Sequence, residues 1–133
     1  MILRASSRAI TRSFVAIIFL LFAPLTFAEK VITGGQFTGA SGHVTKGTAS
    51  IVKADKGLVL VLGSDFYLDG APDPRVGFGK DGQYIPSSEL KKLISTTGEQ
   101  RYTLPSSIKL DKYNEVYIWC ELFSVPLGIA QLN

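Results

Sequence analysis

The 133 residues contain one cysteine, one histidine, one tryptophan and one methionine. A lone cysteine excludes an internal disulfide framework, a Cys-x-x-Cys dithiol and a covalent c-type haem motif. One histidine with one cysteine is too few for a His/Cys zinc site within one chain. There is no Gly-x-Ser-x-Gly nucleophile elbow and no EF-hand pattern. The longest apolar run, Phe14–Ala23, is only half of the roughly 20 residues that a spanning helix needs. Hydrophobic residues at 46% against 19% charged exclude a disordered chain. No cofactor and no metal is expected from these residue types.

Residues 1–28 read as a secretory signal. Arg4, Arg8 and Arg12 form a basic n-region, no acid precedes Glu29, and Pro24 breaks the apolar run. Thr26-Phe27-Ala28 places small residues at the −3 and −1 positions of a cleavage site after Ala28. The competing reading is a short uncleaved membrane anchor. Processing predicts a secreted or periplasmic protein that meets the membrane only transiently, through its signal. The signal also accounts for the charge. The formal net charge is +3, and those three arginines supply all of it, because the remaining Lys plus Arg equal the 11 acids. A neutral domain has no basic field to hold nucleic acid, so none is expected as a partner. The lysines at 53, 56, 91 and 92 read as solvated faces.

From Glu29 on, all 13 glycines and five of the six prolines punctuate short apolar or alternating runs. This predicts an all-β domain over 29–133, a β-sandwich or barrel-like fold of about eight short strands. The runs include His43–Lys53, a Leu58–Leu62 segment read as a strand buried on both faces or in a sandwich core, and Arg75–Phe78 leading into an Asp81-Gly82 hairpin turn. Leu90–Ile94 is the one expected helical turn. The strongest strand is Glu115–Phe123, with Val116, Ile118, Cys120 and Leu122 on the core face and Tyr117, Trp119, Glu121 and Phe123 on a partly covered face.

Three features bear on chemistry. Gly77-x-Gly79-x-x-Gly82 has dinucleotide-motif spacing, but no helix follows, and a hairpin explains it better. Asp65, Asp69 and Asp73 are evenly spaced in one loop, as calcium ligands or, more simply, as turn caps. Cys120 is either a small core hydrophobe or a functional thiol, because an exported free thiol is lost to oxidation unless buried or used. Trp119 and Tyr117 beside it serve as packing or as an electron path. His43 has no acid at a recognisable catalytic spacing, so a hydrolase is a remote reading.

The run Trp119-Cys120-Glu121-Leu122-Phe123 to Gly128-Ile129-Ala130-Gln131-Leu132 resembles the C-terminal signature of the DM-thirteen domain. Gly35-Gln36-Phe37, His43-Val-Thr-Lys-Gly47-Thr48, Asp65-Phe66 with Gly70-Ala71-Pro72-Asp73, and Gly98-Glu-Gln-Arg-Tyr102-Thr-Leu-Pro105 resemble its other elements, in order. Ala71 and Pro126 depart from the pattern. The resemblance implies a secreted β-sandwich-like domain and an electron-transfer role through the signature cysteine, which is Cys120 here. Its redox partner is then expected to be another molecule.

Two functions follow as expectations. In the first, Cys120 is redox-active with a separate, unidentified partner, and His43, Asp65, Asp73 and Trp119 are candidate binding residues. In the second, the domain is a non-catalytic extracytoplasmic interaction module. Cys120 is then structural, and the loops Asp65–Asp73 and Ser106–Asn114 carry recognition. Neither reading makes it a stand-alone enzyme.

Overall fold

A computed structural model of the chain describes residue 3, residues 13–23 and residues 29–133. Arg4, Arg8, Arg12, Pro24 and Ala28, on which the export signal rests, lie outside the described residues. Phe14–Ala23 has no regular secondary structure, and among the described residues no helix is long and apolar enough to cross a membrane.

The domain is all-β and barrel-like. Eight antiparallel strands follow one another as a curled half-barrel. They are β7 (Gln83–Tyr84), β6 (Pro74–Lys80), β10 (Glu115–Cys120), β11 (Val125–Gln131), β1 (Lys30–Gly39), β3 (Thr48–Ala54), β4 (Gly57–Leu62) and β9 (Gln100–Thr103). Strand β8 (Lys91–Lys92) adds to β6, and β2 (Thr45–Lys46) pairs with β5 (Tyr67–Leu68) as a separate ribbon.

Strand β1 is the corner. Its Lys30–Gln36 half pairs with β3, and its Phe37–Gly39 half pairs with β11. Gly34-Gly35 lies just before the switch, and a Cβ on Gly35 would overlap the Gln131 carbonyl. The absence of a side chain lets one strand serve both halves of the sheet.

Period-two burial fills the concave side. Ala49 and Ile51 of β3, Leu60 and Leu62 of β4, Tyr102 of β9, Val76 and Phe78 of β6, and Val116, Ile118 and Cys120 of β10 form one core. Of the two readings of the Leu58–Leu62 run, the core-lining one holds: Leu60 and Leu62 are buried in the core, while Leu58, Val59 and Val61 are half-buried. Only one side of the half-barrel faces the core.

Two other elements differ from expectation. Leu90–Ile94 is not helical. Leu90 N–H donates to Val76 C=O and Leu93 N–H to Pro74 C=O, so the segment lies along β6 as a short edge strand. The 3-10 turns fall instead at Pro86–Ser88 and Leu110–Lys112. The expected long strand also ends early, at Cys120. Glu121–Ser124 is a turn, and Ser124 takes φ 52°, a left-handed conformation more usual for glycine. Leu122 is therefore 64% exposed rather than in the core, and Phe123 is 65% exposed.

Antiparallel registers sort the connections into two ends. One end carries the 40–44 turn, the 63–73 loop and the 121–124 turn. The other carries the Asp55-Lys56 and Asp81-Gly82 turns and the 104–114 segment.

Candidate functional site

Cys120 is the last ladder residue of β10, opposite Val125 of β11 and Pro74 of β6. Its side chain shares the core face with Val116 and Ile118 and is 1% exposed. One residue later the chain is at the surface: Glu121 N–H donates to the Asp73 carbonyl at 3.1 Å, and Leu122 and Phe123 project from the turn. The thiol is thus shielded from solvent yet stands at the edge of the ladder. A reactive cysteine needs access, so any reaction of this thiol requires that edge to open.

The other face of β10 bears Glu115, Tyr117 and Trp119. Gly79, Gly77 and Arg75 of β6 stand opposite them. Tyr84 of β7 closes over this strip and stacks on Trp119, with ring centroids 4.4 Å apart and planes at 17°. Tyr117 is buried beneath it. A Cβ at Gly77 would press on the Tyr84 ring at 2.9 Å, and one at Gly79 would overlap the Tyr117 ring. Gly82 takes φ 84° in the Asp81-Gly82 turn. The Gly-x-Gly-x-x-Gly spacing is therefore aromatic packing plus a hairpin.

The Tyr84 and Tyr117 hydroxyls are buried without hydrogen-bond partners among the described residues. Burial pushes Tyr84 up to about 12 and raises Tyr117 as well. Glu115, a buried acid that the sequence pattern did not single out, accepts Gly82 N–H at 2.7 Å and the Gln131 amide at 3.0 Å.

The three loop aspartates do not converge; each ties the loop to a different element. Asp65 accepts the backbone N–H of Thr48 at 3.0 Å and its hydroxyl at 2.9 Å. Asp69 accepts Val44 N–H at 3.0 Å and faces His43 Nδ1 at 2.8 Å. Asp73 pairs with the Arg75 guanidinium at 3.0 and 3.2 Å. Each carboxyl is held below its ordinary value. The leading causes are Thr48 N–H for Asp65, Val44 N–H and then His43 for Asp69, and the Arg75 guanidinium for Asp73. The aspartates therefore act mainly as ties from the loop to other segments, rather than as converging ligands or as caps of their own turns. Among the described residues no group of three or more His, Cys, Asp and Glu side chains could hold a metal.

The 26-residue separation of His43 and Asp69 carries no local signal, and sequence reasoning missed this pair. The fold makes it. Register shifts by one residue between β10 and β11 at Ile118/Trp119, freeing the Leu127 carbonyl from the ladder. That carbonyl accepts Ala40 N–H at 3.0 Å and the buried Thr45 hydroxyl at 2.7 Å, which pins the turn carrying His43. His43, Asp65, Asp73, Trp119 and Cys120, proposed from widely separated stretches, accordingly belong to the same end of the half-barrel.

A family model described as electron transfer DM13 matches residues 36–132, a span that includes all five of these residues. No curated protein and no solved structure matches the chain.

Proposed function

The chain belongs to the DM13 electron-transfer family, and on that premise we propose that it is an exported redox module whose working group is Cys120. The observation that carries this reading is the position of the thiol at the last rung of β10, one residue from an exposed turn. Opening that rung exposes sulfur without unfolding the barrel. The exposed thiolate attacks a partner's disulfide. A sulfur–sulfur bond forms from Cys120 Sγ to one partner sulfur, and the other partner sulfur leaves as thiolate. A dithiol donor supplies the two electrons: one of its thiolates attacks Cys120 Sγ so that the partner leaves as a dithiol, and its second thiol then frees Cys120 and closes the donor's disulfide. With one cysteine, the domain needs that second thiol from elsewhere.

Labelling kinetics test this directly. A small thiol reagent in native buffer should modify Cys120 at least about tenfold faster than global unfolding allows, with little dependence on mild denaturant. Labelling that tracks global unfolding throughout overturns the gated thiol. Export rests on Arg4, Arg8, Arg12 and the Phe14–Ala23 run; the N-terminal residue of the exported protein should be Glu29.

The burial of Cys120 within the core favours a second reading, a non-catalytic interaction module with a structural cysteine. In that case Cys120→Ala protein at normal abundance retains full function in the host.

A further inference from the structure

Among the described residues the sheet stops at β9, and the chain leaves β9 at the end of the half-barrel remote from Cys120. Leu104 N–H still reaches Leu58 C=O at 2.9 Å, but Pro105 has no N–H to continue the ladder. The chain then folds across the barrel end: Ile108 N–H donates to Pro105 C=O, and Leu110–Lys112 makes a 3-10 turn. Between this segment and the β3–β4 turn lies a cleft of about 440 Å3, within the ~300–1,000 Å3 range of small-molecule sites.

The cleft has two chemistries. Its floor is formed by Leu58, Leu104, Ile108 and Leu110. Leu104 and Ile108 are core members, and the other two pack against the core, so the floor is continuous with the hydrophobic interior. Its rim carries Lys56, from the β3–β4 turn, and Lys109. Both are exposed, and neither has an ion-pair partner among the described residues. Asp111 is the one rim acid, leaving the rim net positive.

We propose that this cleft binds an amphiphilic carboxylate of medium chain length. Its apolar chain lies on the leucine–isoleucine floor, and its carboxylate sits between Lys56 and Lys109. The floor favours a hydrocarbon and the two rim lysines favour an anion; a neutral or cationic amphiphile satisfies only the first requirement. This binding is independent of the redox reading, because Cys120 lies at the other end.

Decanoate below its micellar concentration is the probe, followed by amide chemical shifts of the purified protein at neutral pH. Saturable shifts should centre on Gly57, Leu58, Ser106 and Leu110. Decanol should bind several-fold more weakly. Lys56→Glu/Lys109→Glu should weaken decanoate by about tenfold and leave decanol unchanged. No saturable shift, shifts centred on the Trp119–Cys120 end, or equal affinity for decanol and decanoate would each overturn the proposal. Sedimentation with phosphatidylglycerol vesicles is a further arm: capture by vesicles without decanoate shifts also overturns it, by assigning the lysines to a membrane surface.

Discussion

The two ends of the half-barrel differ in how their longest loops are held, although Asn114 and Glu115 also tie the Asp81-Gly82 turn at the end remote from Cys120. At the Cys120 end, long-range polar bonds tie the connections to one another: Asp65 to Thr48, Asp69 to Val44 and His43, the Asp73 carbonyl to Glu121 N–H, and the Leu127 carbonyl to Ala40 and Thr45. At the other end, the 104–112 segment bonds mainly to itself, through 3-10 contacts, and leaves a cleft with an apolar floor. Heavy stapling suits an end that must protect a thiol and release it only by a defined opening. A loosely covered end suits admission of a ligand. The two candidate activities can therefore be altered separately.

The largest expected contrast comes from two glycines, one at each end. Gly47 has φ 105°, and a Cβ there would sit 2.6 Å from Phe66 Cα and 2.7 Å from the Asp65 carbonyl oxygen. Gly82 has φ 84° with open space around it. Gly47→Ala should cost about 3 kcal/mol or more, since left-handed strain and a backbone clash add, whereas Gly82→Ala should cost about 1 kcal/mol. Denaturant unfolding of both variants measures the difference, and equal costs would remove the contrast in packing.

Cys120→Ser comes next. The substitution buries a hydroxyl on an apolar core face, which should cost about 1–3 kcal/mol. Cys120→Ala lacks that polar penalty and should cost less. A serine variant as stable as the native protein would show that the thiol end is already open to water.

Much of this architecture was legible from residue pattern. Alternation placed Val116, Ile118 and Cys120 on the core face, and Asp81-Gly82 marked its hairpin, because both signals are local. The errors arose where local signals coincide. Leu90 and Leu93 have helical spacing, but they serve equally on an edge strand whose N–H groups reach β6. Glu121-Leu122-Phe123-Ser124 contains no glycine or proline and reads as more strand; the turn is imposed by the need to pair Val125 with Cys120. Of the site, the individual residues were visible but not their partners. The Asp69–His43 pair depends on a bulge in β11, more than 50 residues away in the chain. The cleft was visible only as part of the Ser106–Asn114 loop, since its floor joins Leu58 of β4 to Leu104, Ile108 and Leu110 of the segment after β9.

Acid should loosen the thiol end first. Asp65, Asp69 and Asp73 have folded-state pKa values below their ordinary value of 3.8. Groups depressed in this way contribute their full stabilisation above the unfolded carboxylate pKa and lose it as pH falls through the lower folded values. Below about pH 4, therefore, amide exchange at Val44 and Thr48 should accelerate before that at Leu58 and Leu104. Simultaneous acceleration at both ends would mean that the aspartates hold the whole barrel rather than one rim.

The smallest expected effect is a control on the other end. Lys56 and Lys109 are exposed, unpaired among the described residues and not part of the core. Lys56→Glu/Lys109→Glu should therefore change unfolding free energy by no more than about 0.5 kcal/mol. It should also leave the Cys120 labelling rate unchanged, because no staple of the thiol end involves either lysine. If the double variant unfolds easily or exposes the thiol, the two ends are coupled through the sheet. A loss of decanoate binding in that variant would then reflect a weakened barrel. A stable variant that loses decanoate while keeping its thiol protected assigns the loss to the lysine rim alone.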